Sequence, residues 1–156
     1  MIRVMFVCHG NICRSPMAEF IMKDLVKKAG LDNEFYIASA AVSSEELGNP
    51  VYPPAREELY SHGISCKGKY AVKLAKNEYD RYDLFVIMDE SNRRNIMRIF
   101  GSDPQNKVHK LLDYTDTPRD VTDPWYSRRF DKAYSDILKG CQGLLKHLMN
   151  EYCSPN

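Results

Sequence analysis

The chain has 156 residues, 44% of them hydrophobic, with a formal charge of +1 and a pI near 7.6. That length and apolar content suffice for one compact core, and no composition break divides the chain, so a single domain over residues 1–156 is expected. The near-neutral balance excludes a general nucleic-acid or acidic-membrane binder, because basic pairs such as Arg93-Arg94 and Arg128-Arg129 stand alone and read as solvated helix faces.

The opening run from Met1 to Val7 carries one positive charge and is too short for a signal peptide, and nothing later approaches a membrane span. A soluble cytoplasmic protein is expected. Five cysteines, Cys8, Cys13, Cys66, Cys141 and Cys153, lack paired spacing, so reduced thiols are expected rather than a disulfide framework. The spacing of Cys8 and Cys13 fits no common zinc pattern, and neither a metal nor a cofactor is expected.

Ile2 to Val7 is a short apolar run with β-branched residues and predicts a buried strand; Ser15-Pro16 predicts a helix start, since serine caps and proline tolerates the first helical position. Between them lies a tight loop. Met17, Ile21, Leu25 and Ala29 then recur at four-residue spacing, an amphipathic helix that Gly30 ends. Phe35 to Ala40 reads as a second strand, Ser43 to Pro54 as a loop, and Pro54 to His62 as a short helix closed by Gly63. Residues 64–70 are polar and irregular, and Val72 to Tyr79 predicts one or two helical turns.

Leu84 to Met88 is the clearest buried strand, and Asp89-Glu90-Ser91-Asn92 opens a helix running to about Phe100, with acidic residues in its first turn. Val108 to Leu112 predicts a fourth strand, and residues 113–127 a proline-containing loop. Phe130 to Met149 is the final helix, with Phe130, Ala133, Ile137, Cys141, Leu144, Leu145 and Leu148 facing the core; Met88, Met97 and Met149 also read as core. Gly140 and Gly143, each costing that helix roughly 1 kcal/mol relative to alanine, point to close packing against another element. Strands alternating with helices imply an α/β fold, a four-stranded parallel twisted sheet with helices on both faces.

In such a sheet ligands bind beyond the carboxyl ends of the strands, where the loop from Cys8 to Ser15 falls. Its amides and the helix's first turn form an anion cradle with Cys8 at the base and Arg14 at the rim. A helix N-terminus and a nearby cation both favour the thiolate, the attacking form of a cysteine. The planar fork of Arg14 suits two oxygens of a phosphate, Gly10 permits close approach or a positive φ, and Asn11 tolerates that angle and braces the loop with its amide. A phosphate ester also needs an acid for its leaving oxygen and a base for the water that follows. Among Asp113, Asp116, Asp120 and Asp123, the last is selected, because Pro124 restricts it and Trp125-Tyr126 beside it line a slot for an aromatic leaving group.

With these residues in view, the chain resembles the low-molecular-weight protein tyrosine phosphatases. The likeness runs through the segment from Phe6 to Glu19, then Ser39 to Ser43, His62-Gly63-Ile64, Met88 to Asn92 and Asp123-Pro124-Trp125-Tyr126. It implies that Cys8 is the nucleophile of a phosphocysteine mechanism, that Arg14 and the loop of His9, Gly10, Asn11, Ile12, Cys13 and Ser15 bind phosphate, and that Asp123 is general acid and then base. Ser15 would assist the thiolate, Asn11 and Ser39 would order the loop, and Asp89 would support the site. The substrates implied are phosphotyrosine proteins, with inorganic phosphate or another oxyanion in the loop, and the chain a monomer without nucleic-acid or membrane partners.

Two departures stand out. Gly68 takes the place where many members carry a histidine of the network behind the loop, so Asn11 is expected to be braced differently or by water. Glu45-Glu46 replaces a commoner aromatic or apolar residue of the pocket lining, and an acidic rim would disfavour acidic phosphopeptides. Cys13 is read either as a packed side chain or as the partner in a reversible, protective disulfide with Cys8, while Cys66, Cys141 and Cys153 read as inert thiols. An arsenate reductase of the same fold would need an outward thiol relay, for which these cysteines offer no close pair. A phosphotyrosine-binding module would need neither Cys8 nor Asp123.

Overall fold

A computed structural model describes residues 1–152. Strands β1 (Ile2–Cys8), β2 (Phe35–Ala41), β3 (Leu84–Ile87) and β4 (Val108–Lys110) form one parallel sheet in the order β2-β1-β3-β4. β1 pairs along its whole length with β2, from Ile2 opposite Phe35 to Cys8 opposite Ala41, and on its other side Val4 to Val7 face Leu84 to Ile87. Alternate side chains of β1 therefore enter two different layers. Val4, Phe6 and Cys8 join the core formed with helices α1 (Arg14–Lys28) and α5 (Phe130–Tyr152), whereas Met5 and Val7 join Phe85, Ile87, Ile96 and Phe100 beneath α3 (Glu90–Phe100). Burial on both faces is why β1 from Val4 onward and β3 are continuously apolar. Fully buried Phe6, Phe85 and Ile87 each contribute about 1.5–3 kcal/mol of transfer free energy to that sandwich.

The chain leaves β1 for one side of the sheet and returns to the other at β3, so the strand order reverses next to β1 and opens a crevice at its carboxyl end. Cys8 is the last residue of β1. Two further helices, α2 (Pro53–Ser61) and α4 (Pro124–Ser127), complete the fold. Among the described residues no helix is long and apolar enough to cross a membrane, and no group of three or more His, Cys, Asp or Glu side chains is placed to hold a metal ion.

Several expectations are corrected. Helix α1 begins at Arg14 with Cys13 as N-cap and no side-chain cap, two residues earlier than the Ser15-Pro16 signal implied; the serine hydroxyl is spent inside the site instead. Val72 to Leu74 is not helical but extended, because Ala41, at the carboxyl end of the edge strand β2, exchanges backbone hydrogen bonds with Val72 and Leu74 at 2.7 and 2.8 Å. Helical turns occur only from Lys76–Arg81, as a 3-10 segment. β4 stops at Lys110, where a 3-10 turn, Leu111–Tyr114, takes over, and the late loop contains α4. Met149 is 37% exposed on the outer face of α5 and Met97 is half-buried, whereas Met88 is fully buried. Cys153 lies outside the described residues.

Candidate active site

The loop after β1 is pinned by its carbonyls. Val42 N donates to Cys8 O at 3.0 Å, Ser43 N to His9 O at 3.1 Å and Tyr52 N to Ile12 O at 2.9 Å. Among the described residues, the amides of His9 to Cys13 donate to no protein acceptor, leaving a run of N–H groups beside the uncapped start of α1. Such a nest favours an anion. The left-handed residue in it is Asn11, at φ 59°, and not Gly10. Gly10 serves close approach instead, because a Cβ there would stand 3.2 Å from Cγ of Glu46.

Asn11 is 1% exposed and both polar atoms of its side chain are engaged: Oδ1 accepts from Val72 N at 3.1 Å, and Nδ2 donates to Ser15 Oγ at 2.7 Å and Ser39 Oγ at 3.0 Å. Ser15 Oγ lies 2.9 Å from Cys8 Sγ. Gly68 takes no part. It sits exposed in a turn at φ 87°, and the neighbouring Lys69 reaches the network, donating to Ser39 O at 2.9 Å.

Arg14 was expected at the rim and is instead 3% exposed, packed into the wall beside Cys8. Nη1 donates to Asp89 Oδ2 at 2.7 Å and to Val121 O at 2.8 Å, and Nη2 lies 3.5 Å from Asp123 Oδ2. Burial opposes its charge, but Cys8, Asp89 and Asp123 outweigh that cost and hold its pKa above the ordinary arginine value. Asp89 is also the N-cap of α3, its Oδ1 accepting from Asn92 N at 2.7 Å, so one carboxylate fixes both the helix start and the guanidinium. Val121 N donates to Met88 O at 2.9 Å, stitching the late loop to the end of β3. Asp123 then caps α4, accepting from Trp125 N at 3.0 Å. Cys8, Arg14 and Asp123 thereby line one cleft of about 290 Å³.

The sequence profile of the family "Low molecular weight phosphotyrosine protein phosphatase" matches residues 3–153. The chain belongs to this family. The phosphatase is 37% identical to YfkJ of Bacillus subtilis, described as a low molecular weight protein-tyrosine-phosphatase, over 97% of this chain and 98% of that protein. It is 34% identical to PtpA of Staphylococcus saprophyticus, of the same description, over 97% and 96% of the two chains. The YfkJ crystal structure superposes with a TM-score of 0.93 over 97% of each chain, and that of SP-PTP from Streptococcus pyogenes, 34% identical, with 0.87 over 98% and 97%.

The mouth of the phosphatase cleft carries His9, Glu45, Glu46, Trp125 and Tyr126. His9 Nε2 and Glu45 Oε2 are 2.8 Å apart at its edge. Tyr126 is 83% exposed, whereas Trp125 leans on Tyr52, their ring centroids 4.8 Å apart. Tyr52 and Arg128 escaped the reading of the sequence: Arg128 donates to the Tyr52 hydroxyl at 2.9 Å and packs over the Trp125 ring, in a left-handed conformation at φ 58° that nothing in the local sequence signals. Cys13 shares the cleft with Cys8, and burial together with the nearby Cys8 and Asp123 pushes its thiol pKa up to about 12. Burial raises Cys66 and Cys141 as well, and Cys141 is fully enclosed.

Proposed function

We propose that this phosphatase hydrolyses phosphotyrosine through a phosphocysteine on Cys8. Cys8 Sγ attacks phosphorus in line; the bond from phosphorus to the aryl oxygen breaks, and the departing oxygen takes a proton from Asp123. Water then attacks the phosphocysteine and gives its proton to the Asp123 carboxylate, while the electron pair of the broken S–P bond returns to sulfur. Arg14 and the loop amides neutralise the charge on the equatorial oxygens, which a fixed donor set does without reorganisation. Asp89 and Val121 preorient the guanidinium so that Nη2 and Nε remain for the phosphate. The observation that carries this reading is the convergence of Cys8, Arg14 and Asp123 on one cleft from distant parts of the chain.

Trp125 and Tyr126 supply an aromatic wall for the substrate ring, and inorganic phosphate is the product left in the loop. We read residues 1–156 as one catalytic domain that works as a monomer on cytoplasmic phosphotyrosine proteins. The test is rapid quenching during turnover of a labelled aryl phosphate. Label appears on Cys8 and is absent from Cys8→Ser; aryl phosphate turnover that survives Cys8→Ser would falsify the mechanism.

A further inference from the structure

Behind the active-site loop lies a buried charged group that this mechanism does not use. Glu19, on the inner face of α1, is 5% exposed, and its carboxylate accepts from Ser39 Oγ at 2.5 Å and from Lys23 Nζ at 2.6 Å. Lys23 is half in solvent, its side chain 45% exposed. The enclosed counter-ion is Lys69: its side chain is 12% exposed, its Nζ is 3.5 Å from Glu19 Oε1, and it donates to the Ser39 carbonyl at 2.9 Å. A buried ion pair of this kind is a doubtful source of stability, which invites another role.

The hydrogen-bond chain from Glu19 to Cys8 supplies that role, because its protons have one consistent arrangement. The Val72 amide can only donate, which fixes Asn11 Oδ1 as acceptor and turns both Nδ2 protons toward Ser15 and Ser39. An ionised carboxylate can only accept, so the Ser39 proton goes to Glu19. Ser15 Oγ has already accepted from Asn11, and its own proton is left for Cys8 Sγ, 2.9 Å away. Reversing any link strands a buried donor or acceptor.

We propose that Lys69 is a positioning residue of the phosphatase reaction: its ammonium, paired with Glu19 behind the loop, keeps that carboxylate ionised, so that Ser39 donates to Glu19 and accepts from Asn11, anchoring the amide whose other proton holds Ser15 against the Cys8 sulfur. The proposal rests on Cys8 as nucleophile. The Ser15 proton stabilises the thiolate both when it attacks phosphorus and when it leaves the phosphocysteine. The charged groups facing Lys69 are Glu19, Lys23 and Cys8; burial and Lys23 work against its charge, while Glu19 and Cys8 support it. Because coupling is reciprocal, a cation that the sulfur's negative charge favours in turn favours that charge. Gly68 gives the turn from which Lys69 enters, so the work assigned by resemblance to one position is done here by its neighbour.

The test compares Lys69→Met, Lys69→Gln and Lys69→Arg for kcat on an aryl phosphate and for the rate of iodoacetate modification of Cys8 between about pH 5 and about pH 8. Both uncharged variants should lose roughly 3- to 10-fold in kcat and in modification rate at the acid end, converge on wild type at the alkaline end, and be rescued by arginine. Lys67→Met, an exposed neighbouring lysine, controls for net charge and keeps the wild-type profile. Glutamine retains a donor for the Ser39 carbonyl, so it separates charge from packing should methionine fail to fold. Wild-type behaviour of the glutamine variant, slowing that is equal at every pH, or an arginine variant as slow as the uncharged ones overturns the proposal. Turnover that persists in Cys8→Ser removes the nucleophile reading itself, a separate outcome.

Discussion

Asp123 uses its two carboxylate oxygens differently: Oδ1 accepts from Trp125 N at 3.0 Å as the cap of α4, while Oδ2 lies 3.5 Å from Arg14 Nη2 on the side of the cleft. Capping and proton transfer can therefore be separated by substitution. Asp123→Asn keeps an acceptor for the Trp125 amide but has no proton to deliver, so kcat should fall roughly 10²-fold or more with a smaller change in KM. Asp123→Ala should match that kinetic loss and also destabilise the cap by about 1 kcal/mol. The loss should be larger for phenyl phosphate than for p-nitrophenyl phosphate, whose leaving oxygen needs less protonation; equal losses on the two esters would exclude Asp123 as the acid. Cys8, Arg14 and Ser15 were legible in the sequence because eight consecutive residues, from the end of a strand to the start of a helix, carry them. The groups that orient them were not, because the fold alone joins Arg14 to the Val121 carbonyl, 107 positions away, and Asn11 to the Val72 amide, 61 away.

At the level of elements, the strongest sequence signals were apolar runs and helical spacing, and they survive because burial on both faces of a parallel sheet demands them. The failures fall where tertiary pairing overrides local preference, as at Val72 to Leu74, which repairs the open end of β2 rather than coiling. The two glycines of α5 are an intermediate case, since their cost to the helix announced close packing without naming the neighbour. That neighbour is the 3-10 turn Leu111–Tyr114: a methyl group at Gly140 would overlap the Leu111 side chain, and one at Gly143 the Tyr114 carbonyl. In an isolated helix Gly143→Ala would gain about 1 kcal/mol. Here the overlap is with backbone that cannot rotate away, and a net destabilisation of about 1–3 kcal/mol is expected, exceeding that of Gly140→Ala, where a side chain can repack. Urea unfolding should show a lower midpoint at unchanged slope, and a Gly143→Ala protein as stable as wild type would mean that α5 and the turn do not meet as described.

Across the whole molecule, a formal charge of +1 hides an uneven distribution. The cation of the cleft, Arg14, is enclosed, with Nη1 held by Asp89 and Val121, so a peptide flanking the phosphotyrosine meets Glu45 and Glu46 at the mouth, with Arg128 packed over the Trp125 ring nearby. Flanking contacts of this kind exist equally in the bound substrate and in the transition state, so their effect belongs in KM rather than kcat. Exposed pairs are worth about 0.2–1 kcal/mol each, which for two carboxylates predicts roughly a 2- to 30-fold lower KM for basic than for acidic phosphotyrosyl peptides at low salt. The preference should shrink as ionic strength approaches about 1 M, where the Debye length falls to about 3 Å. It should also shrink in a Glu45→Gln, Glu46→Gln double variant. Peptides that differ only in flanking charge and show equal KM values, or a preference unmoved by salt, would show that the acidic rim does not select substrates. In that event Trp125 and Tyr126, the aromatic residues proposed to face the substrate ring rather than its flanks, would be left as the contacts that set specificity.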